Sequence, residues 1–302
     1  MSISVVIATR NSSRTIERCV SSLRDLKSVV VDNYSKDSTL DIVRRFGAEI
    51  LMERDSGFFG AYDLGFRRTN SDFVMFLDSD AYLQGFDFGA ALRPFRNLQV
   101  GMVVCLAHAP VTGTVSKLMN DIWYWRNSQT LKYMNGLKMS WLDRQYSKFF
   151  MSNSLNSGAT TTGPCYILRR AAIEEMGGMH HGADDFALKR LLAAHGYEVR
   201  FYVSDSVFHF ARPTLRRLLR EYLQFGLRGS QIAKRFYSKK ERLVGLLMVS
   251  MSIASAPYIA QNKRDPRLLL LVPLIRCIQG IGLVLGSLLS KTTEERWNFS
   301  AY

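Results

Sequence analysis

Short apolar runs, each closed by a polar or acidic residue and separated by segments of helical period, most constrain the fold of this chain. Ile3 to Ala8, Ser28 to Val31, Ala48 to Met52 and Phe73 to Leu77 read as buried strands. Between the first two, Asn11, Ser12 and Ser13 offer N-caps. The helix that follows, Thr15 to Leu26, carries Ile16, Cys19, Val20 and Leu23 on one face. Asp37 or Ser38 caps a second helix through Arg45. Strands alternating with helices predict an α/β domain: a mostly parallel sheet flanked by helices. Ligands of such sheets bind outside the carboxyl ends of the strands. Asp32 and Asp78 both stand at strand ends, so both are expected to face one crevice.

Composition narrows the partners. With 47% apolar residues in 302, the chain can bury a sizeable core. A formal net charge of +14 favours anionic partners. Cys19, Cys105, Cys165 and Cys277 lie far apart without a CxxC pair, which reads as buried thiols in a reducing compartment rather than a zinc site. The N-terminus enters the first strand directly, without a basic lead, so the first domain is expected on the cytoplasmic side.

The strand Phe73 to Leu77 delivers Asp78-Ser79-Asp80, two carboxylates one residue apart. Hard cations such as Mg²⁺ take one or two carboxylates together with substrate phosphates. A lone DxD also suits a solvated turn, so its neighbours decide. Ser4-Val5-Val6-Ile7-Ala8-Thr9-Arg10-Asn11, then Val29 to Thr39, then Phe76 to Asp80, resemble the successive motifs of family 2 glycosyltransferases. The likeness continues through Gly163 to Gly178, Asp184-Asp185, Gly196-Tyr197 and Val207-Phe208-His209. It covers roughly residues 3 to 230, and the order of the motifs is more specific than any one of them.

The resemblance implies the GT-A fold and a role for each matching position. Thr9, with Asn11 beside it, matches the segment that surrounds the nucleoside. Asp32 matches the aspartate that accepts from the N–H groups of the base. Asp80 matches the main ligand of a divalent metal, Mg²⁺ or Mn²⁺, and Asp78 a donor-site and metal ligand nearby. His209 matches a histidine that completes the metal site. Asp185 takes the position of the general base, with Asp184 where the family usually has glutamate. An aspartate there also suits a helix N-terminus. Two departures stand out: Asn33 replaces a common aspartate, and Tyr62-Asp63 replaces a common Arg-Asn pair. Arg54 and Arg67 are the basic candidates nearby.

Three segments are expected: residues 1–110 binding the nucleotide-sugar, 111–242 binding the acceptor, and 243–302 forming a membrane-associated helical hairpin and tail. The second is rich in aromatics from Trp123 to Phe150. From Arg212 to Arg242 there are ten Lys or Arg and two Glu, directly before Leu243 to Gln261, which has no charge. After the polar break Asn262 to Arg267, Leu268 to Leu289 is apolar except for Arg276 and Gln279. Both apolar stretches have the length of a bilayer span, and the flanking charge fits a cytoplasmic membrane face. Spanning, interfacial and soluble packed hairpins all fit this pattern. The basic residues do not form a recognisable nucleic-acid module, which sets nucleic acid aside.

The expected activity is metal-dependent, inverting transfer of a sugar from a UDP- or GDP-sugar to a hydroxyl of a glycan or lipid-linked acceptor. A polyprenyl-phosphate acceptor, which needs no strong base, is the alternative enzyme. A catalytically silent membrane-bound adaptor is the alternative of another class.

Overall fold

The computed structural model describes residues 2–23, 25–54, 57–110, 113–122, 163–179, 185–210, 214–236 and 253–289, with a few isolated residues between 132 and 144. The chain divides into two units. One is built from Met1–His108 with Ser154–Phe210, the other from Ala109–Asn153 with Ala211–Glu295.

The first unit is a seven-stranded sheet. Its strands are β1 (Ile3–Thr9), β2 (Lys27–Asp32), β3 (Glu49–Met52), β4 (Phe73–Leu77), β6 (Val100–Cys105), β7 (Cys165–Arg169) and β8 (Glu198–Tyr202), in the order β3-β2-β1-β4-β7-β6-β8. Pairing is parallel except where β7 runs antiparallel between β4 and β6. The chain winds outward from β1 to β3, then returns to β4 on the other side of β1. That reversal opens a crevice at the strand ends, where Thr9 pairs with Asp32 and Leu77 precedes Asp78.

Alternation of side chains sends each strand into two cores. Val5, Ile7, Val30, Met75 and Leu77 face one side, packed with Ile16, Cys19 and Val20 of α1 (Ile16–Ser21) and Ile42 and Val43 of α2 (Thr39–Arg45). Val6, Val29, Val31, Val74 and Phe76 face the other, packed with Tyr62 and Phe66 of α3 (Gly57–Arg68) and with α5 (Arg170–Glu175) and α6 (Asp185–Ala194). Gly65 lets α3 lie directly on β1, because a Cβ there would come within 2.3 Å of Val6 Cγ1. A short helix, α4 (Phe88–Leu92), is capped by Asp87. Beyond the main sheet, β5 (Ala81–Leu83) and β9 (Val207–His209) pair antiparallel.

The second unit is helical. A helix over residues 114–122, α7 (Leu215–Phe236), α8 (Ala256–Lys263) and α9 (Leu268–Leu289) share a core of Leu118, Met119, Leu218, Tyr222, Ile259, Leu271, Val272 and Ile275. The expected polar break is an ordered turn. Arg264 takes a left-handed conformation at φ 51°, and buried Asp265 accepts from Arg267 N at 3.1 Å and pairs with its guanidinium at 2.6 Å. Two long apolar segments were expected, but the described residues hold one helix long and apolar enough to cross a bilayer, α9. Residues 237–252, which include the start of the first segment, lie outside the described residues, and the described α8 is only eight residues long. Of the aromatics between Trp123 and Phe150, only Trp141 is described, and it is exposed.

Candidate functional site

The site begins with the loops that leave β1 and β2. Their backbones are joined by Asn33 N donating to Thr9 O at 2.9 Å. Thr9 is buried, and its hydroxyl has no hydrogen-bond partner among the described residues. Asn11, at φ 50°, accepts from Lys36 N through its side chain and donates its own N–H to Ser35 Oγ, both at 2.8 Å. Asp32 is fully buried, and its carboxylate accepts from Ser35 N at 2.7 Å and Ser35 Oγ at 2.5 Å. It therefore orders the 33–37 loop and, through Ser35, ties that loop to Asn11. Asp37 repeats the device one turn later, accepting from Ser13 N and from the N–H and hydroxyl of Thr39. Its partial burial opposes ionisation, but these hydrogen bonds outweigh it and hold the carboxyl below its ordinary range. Tyr34, at φ 51°, lies under the Arg54 guanidinium at 4.1 Å, which accounts for one of the two expected basic candidates.

The acidic motif is fixed from several directions. Asp78 N donates to Pro164 O at 2.8 Å, and Ala81 N donates to Asp78 O at 2.9 Å, closing a turn. Ser79 Oγ lies 3.0 Å from Ser12 Oγ, joining this turn to the β1 loop. The Tyr62 hydroxyl donates to Asp78 Oδ1 at 3.1 Å. Tyr62 is fully buried, with its ring edge-on to Phe76 at 4.7 Å. Beneath the turn, burial and the charges of Asp80 and Asp78 push the Cys19 thiol well above its ordinary pKa.

His209 arrives by the second sheet. Its register pairs Ala81 with His209, and Phe210 N donates to Asp80 O at 2.9 Å. This sets His209 Nε2 3.0 Å from Asp80 Oδ1, although the two are 129 positions apart. Ligand atoms of Asp78, Asp80 and His209 all lie within 4.8 Å of one another, and each residue is half-buried. Two carboxylates and an imidazole, each partly exposed, fit Mg²⁺ or Mn²⁺.

The other expected residues are placed as follows. Asp185 is the first residue of α6, as a helix-start aspartate should be. Asp184 lies outside the described residues. Arg67 does not stand free, because it pairs with Asp63 at 2.6 Å. Asp63 in turn accepts from Met179 N at 3.0 Å, so it fastens α3 to the segment leading towards α6. The contacts of Tyr62, Asp63, Ser12 and Ser79 were not anticipated. For Tyr62 and Asp63 the only sequence signal was their departure from the family pattern.

The family model for glycosyl transferase family 2 matches residues 4–177, more than half of the chain. The chain belongs to glycosyl transferase family 2. An uncharacterized glycosyltransferase of Rickettsia prowazekii is 31% identical over 83 residues, which is 27% of this chain and 28% of that relative. Among solved structures, a mannosyltransferase of Pyrobaculum calidifontis in complex with GDP-Man and Mn²⁺ matches with a TM-score of 0.61 and 17% identity. That match covers 96% of this chain and 88% of the other. Glucosyl-3-phosphoglycerate synthase from Mycobacterium tuberculosis, in complex with Mg²⁺ and UDP, matches with a TM-score of 0.50 and 16% identity over 78% and 79% of the two chains. These likenesses show the GT-A fold.

Proposed function

We propose that this protein moves a hexose from a UDP- or GDP-sugar to a hydroxyl of a glycan or lipid-linked acceptor, with inversion at the anomeric carbon. The observation that carries this reading is the meeting of Asp78, Asp80 and His209 at the strand-end crevice, from two sheets and distant parts of the chain. In its support, two solved proteins of the same fold hold GDP-Man with Mn²⁺ or UDP with Mg²⁺.

Thr9 and Asn11 line the nucleoside end, and Asp32 serves the base through the loop it orders. Asp78, Asp80 and His209 hold the divalent cation. When bound, that cation supplies positive charge against the departing nucleoside diphosphate. Asp185 accepts the proton of the acceptor hydroxyl as its oxygen bonds to the anomeric carbon and the bond to the diphosphate oxygen breaks. Residues 111–242 meet the acceptor. The C-terminal helices associate with a membrane, with the transferase domain on its cytoplasmic side, because the basic stretch before them suits anionic headgroups.

A screen of UDP- and GDP-sugars with Mg²⁺ or Mn²⁺ and membrane lipid extract tests the reading. Transfer that depends on the metal and disappears in Asp80→Ala is expected. Turnover by Asp80→Ala at the wild-type rate, with the same metal dependence, would remove the assignment. Asp185→Asn separates the acceptors: a large loss of rate is expected for a hydroxyl, and a small loss would point to a phosphate.

A further inference from the structure

The helix α9 has the length and composition of a bilayer span, but its packing within the second unit points elsewhere. Residues of α7 and α9 meet in the same order along both helices: Tyr222 by Arg276, Gly226 by Gln279 and Leu283, and Ser230 by Gly286. The helices therefore run side by side in the same direction. Along this seam the backbones touch. A Cβ on Gly226 would come within 2.1 Å of Gln279 O, one on Gly282 within 2.3 Å of Leu223 O, and one on Gly286 within 2.1 Å of Ser230 Oγ. Small residues spaced four apart, Gly226 and Ser230 against Gly282 and Gly286, permit this approach. The charge within α9 is turned to the same side, with Arg276 5.7 Å from the Tyr222 ring and bonded to Gln279 Oε1 at 2.8 Å.

The partner in this seam cannot enter hydrocarbon. Over the same stretch α7 carries Arg216, Arg217, Arg220, Glu221 and Arg228. If α9 crossed a bilayer while bound to α7, those charges would go with it, at a cost that an intramembrane helix seldom bears. The outer side of α9 is different. Leu270, Leu274, Cys277, Ile281, Val284 and Leu288 recur every three or four residues, and all are exposed. Arg216, Arg217 and Arg220 on α7 are exposed as well, as are Arg264 and Arg267 just before α9.

We infer that α9 lies in the plane of an anionic bilayer surface rather than across it. Its outer apolar stripe enters the headgroup boundary and α7 is strapped to its other side, while the positive charge gathered at the N-terminal ends of the two helices draws that end to anionic headgroups. The inference deepens the membrane association proposed above and is independent of the sugar-transfer reading.

The test uses the full chain with vesicles of phosphatidylcholine alone or with about a third phosphatidylglycerol. Flotation that requires phosphatidylglycerol, weakens in high salt and is released by alkaline carbonate is expected. Cys277 is the exposed thiol among four cysteines, the other three being buried, so it takes a fluorophore at the middle of the stripe. Shallowly brominated lipids should quench that fluorophore best. Carbonate resistance, with strongest quenching by lipids brominated near the chain ends, would mean that α9 spans and would overturn the inference. Failure to float with any vesicle would overturn the membrane association itself. Leu270→Glu with Leu288→Glu changes only exposed positions and should lower flotation about tenfold or more with an unchanged circular dichroism spectrum. Undiminished flotation of that variant would show that the stripe is not the contact.

Discussion

Replacing Tyr62 with Phe isolates one hydrogen bond of the candidate metal site. The change removes the hydroxyl that donates to Asp78 Oδ1 at 3.1 Å and leaves the ring against Phe76 and Tyr166. A hydrogen bond to a charged acceptor contributes about 1.5–3 kcal/mol. Partners that orient a ligating side chain typically change metal affinity by about 10–100-fold, which corresponds to about 1.4–2.8 kcal/mol. The two scales agree, so Mn²⁺ binding in the presence of nucleoside diphosphate should weaken by about tenfold or more. Stability should change less, because Phe preserves the packing and Asp78 is only half-buried and can still meet water. Isothermal titration with Mn²⁺ and a thermal melt of the metal-free protein measure the two effects separately. Wild-type affinity in a variant that melts normally would refute the claim that Tyr62 orients Asp78 for a metal. Equal losses of stability and affinity would assign Tyr62 to the core alone.

The remaining expectations are more direct. Asp80→Ala and His209→Ala should each abolish measurable Mn²⁺ binding and lower transfer by about a hundredfold or more, with little change in the melt of the metal-free protein. Alkylation of the native protein should label Cys277 quickly, while Cys19, Cys105 and Cys165 react only after unfolding, because burial keeps those of Cys19 and Cys165 protonated; rapid labelling of two or more thiols would contradict the packing. Gly65→Ala gains about 0.5–1 kcal/mol of helix propensity but drives a methyl against Val6, so a net loss within the overpacking range of about 1–3 kcal/mol is expected in urea unfolding. Asp37 is depressed in the folded state, so its contribution to stability is complete above the ordinary carboxylate range and is lost as pH falls through the lowered value. Asp37→Asn should therefore narrow the stability gap to wild type as unfolding is measured from pH 6 down towards pH 3, and a gap that widens on acidification would contradict the sign.

Much of the first unit was legible because its signals are local. The runs that became β1, β2 and β4 are largely apolar and buried, and a strand buried on both faces needs nothing else, while β3 at the sheet edge stays partly exposed. The pairing of β5 with β9 was not legible, because it joins Ala81 to His209 through a ladder of three residue pairs. That ladder places His209 against Asp80; without the family resemblance, which put His209 with the metal ligands, the residues offered only a histidine after an apolar run. Asp32 was legible as a strand-end aspartate, but not its commitment to Ser35, since a carboxylate facing a ligand and one facing its own loop look the same in sequence. The length of α7, which runs through two glycines to Phe236, was not legible either. Gly226 and Gly229 would break an isolated helix, but here Gly226 is the contact that α9 requires, so packing overrides propensity.

The two residues of the Tyr62-Asp63 departure from the family pattern share one electrostatic logic. Where a cation is common, Tyr62 gives Asp78 a hydrogen bond but no positive charge. Where a neutral amide is common, Asp63 adds a negative charge, and Arg67 at 2.6 Å answers it locally. The substitution at Asp63 is thus balanced within α3 and the Met179 turn, while the one at Tyr62 brings Asp78 a hydrogen bond and no charge. In the function proposed above, a divalent cation held by Asp78, Asp80 and His209 would supply positive charge at this corner. On that reading, the metal rather than a cation on α3 would carry the binding of the nucleoside diphosphate at this corner of the crevice. The fastening of Asp78 by Pro164, Ala81 and Tyr62 fits the same proposal, because a carboxylate held in place in advance is already oriented for a metal.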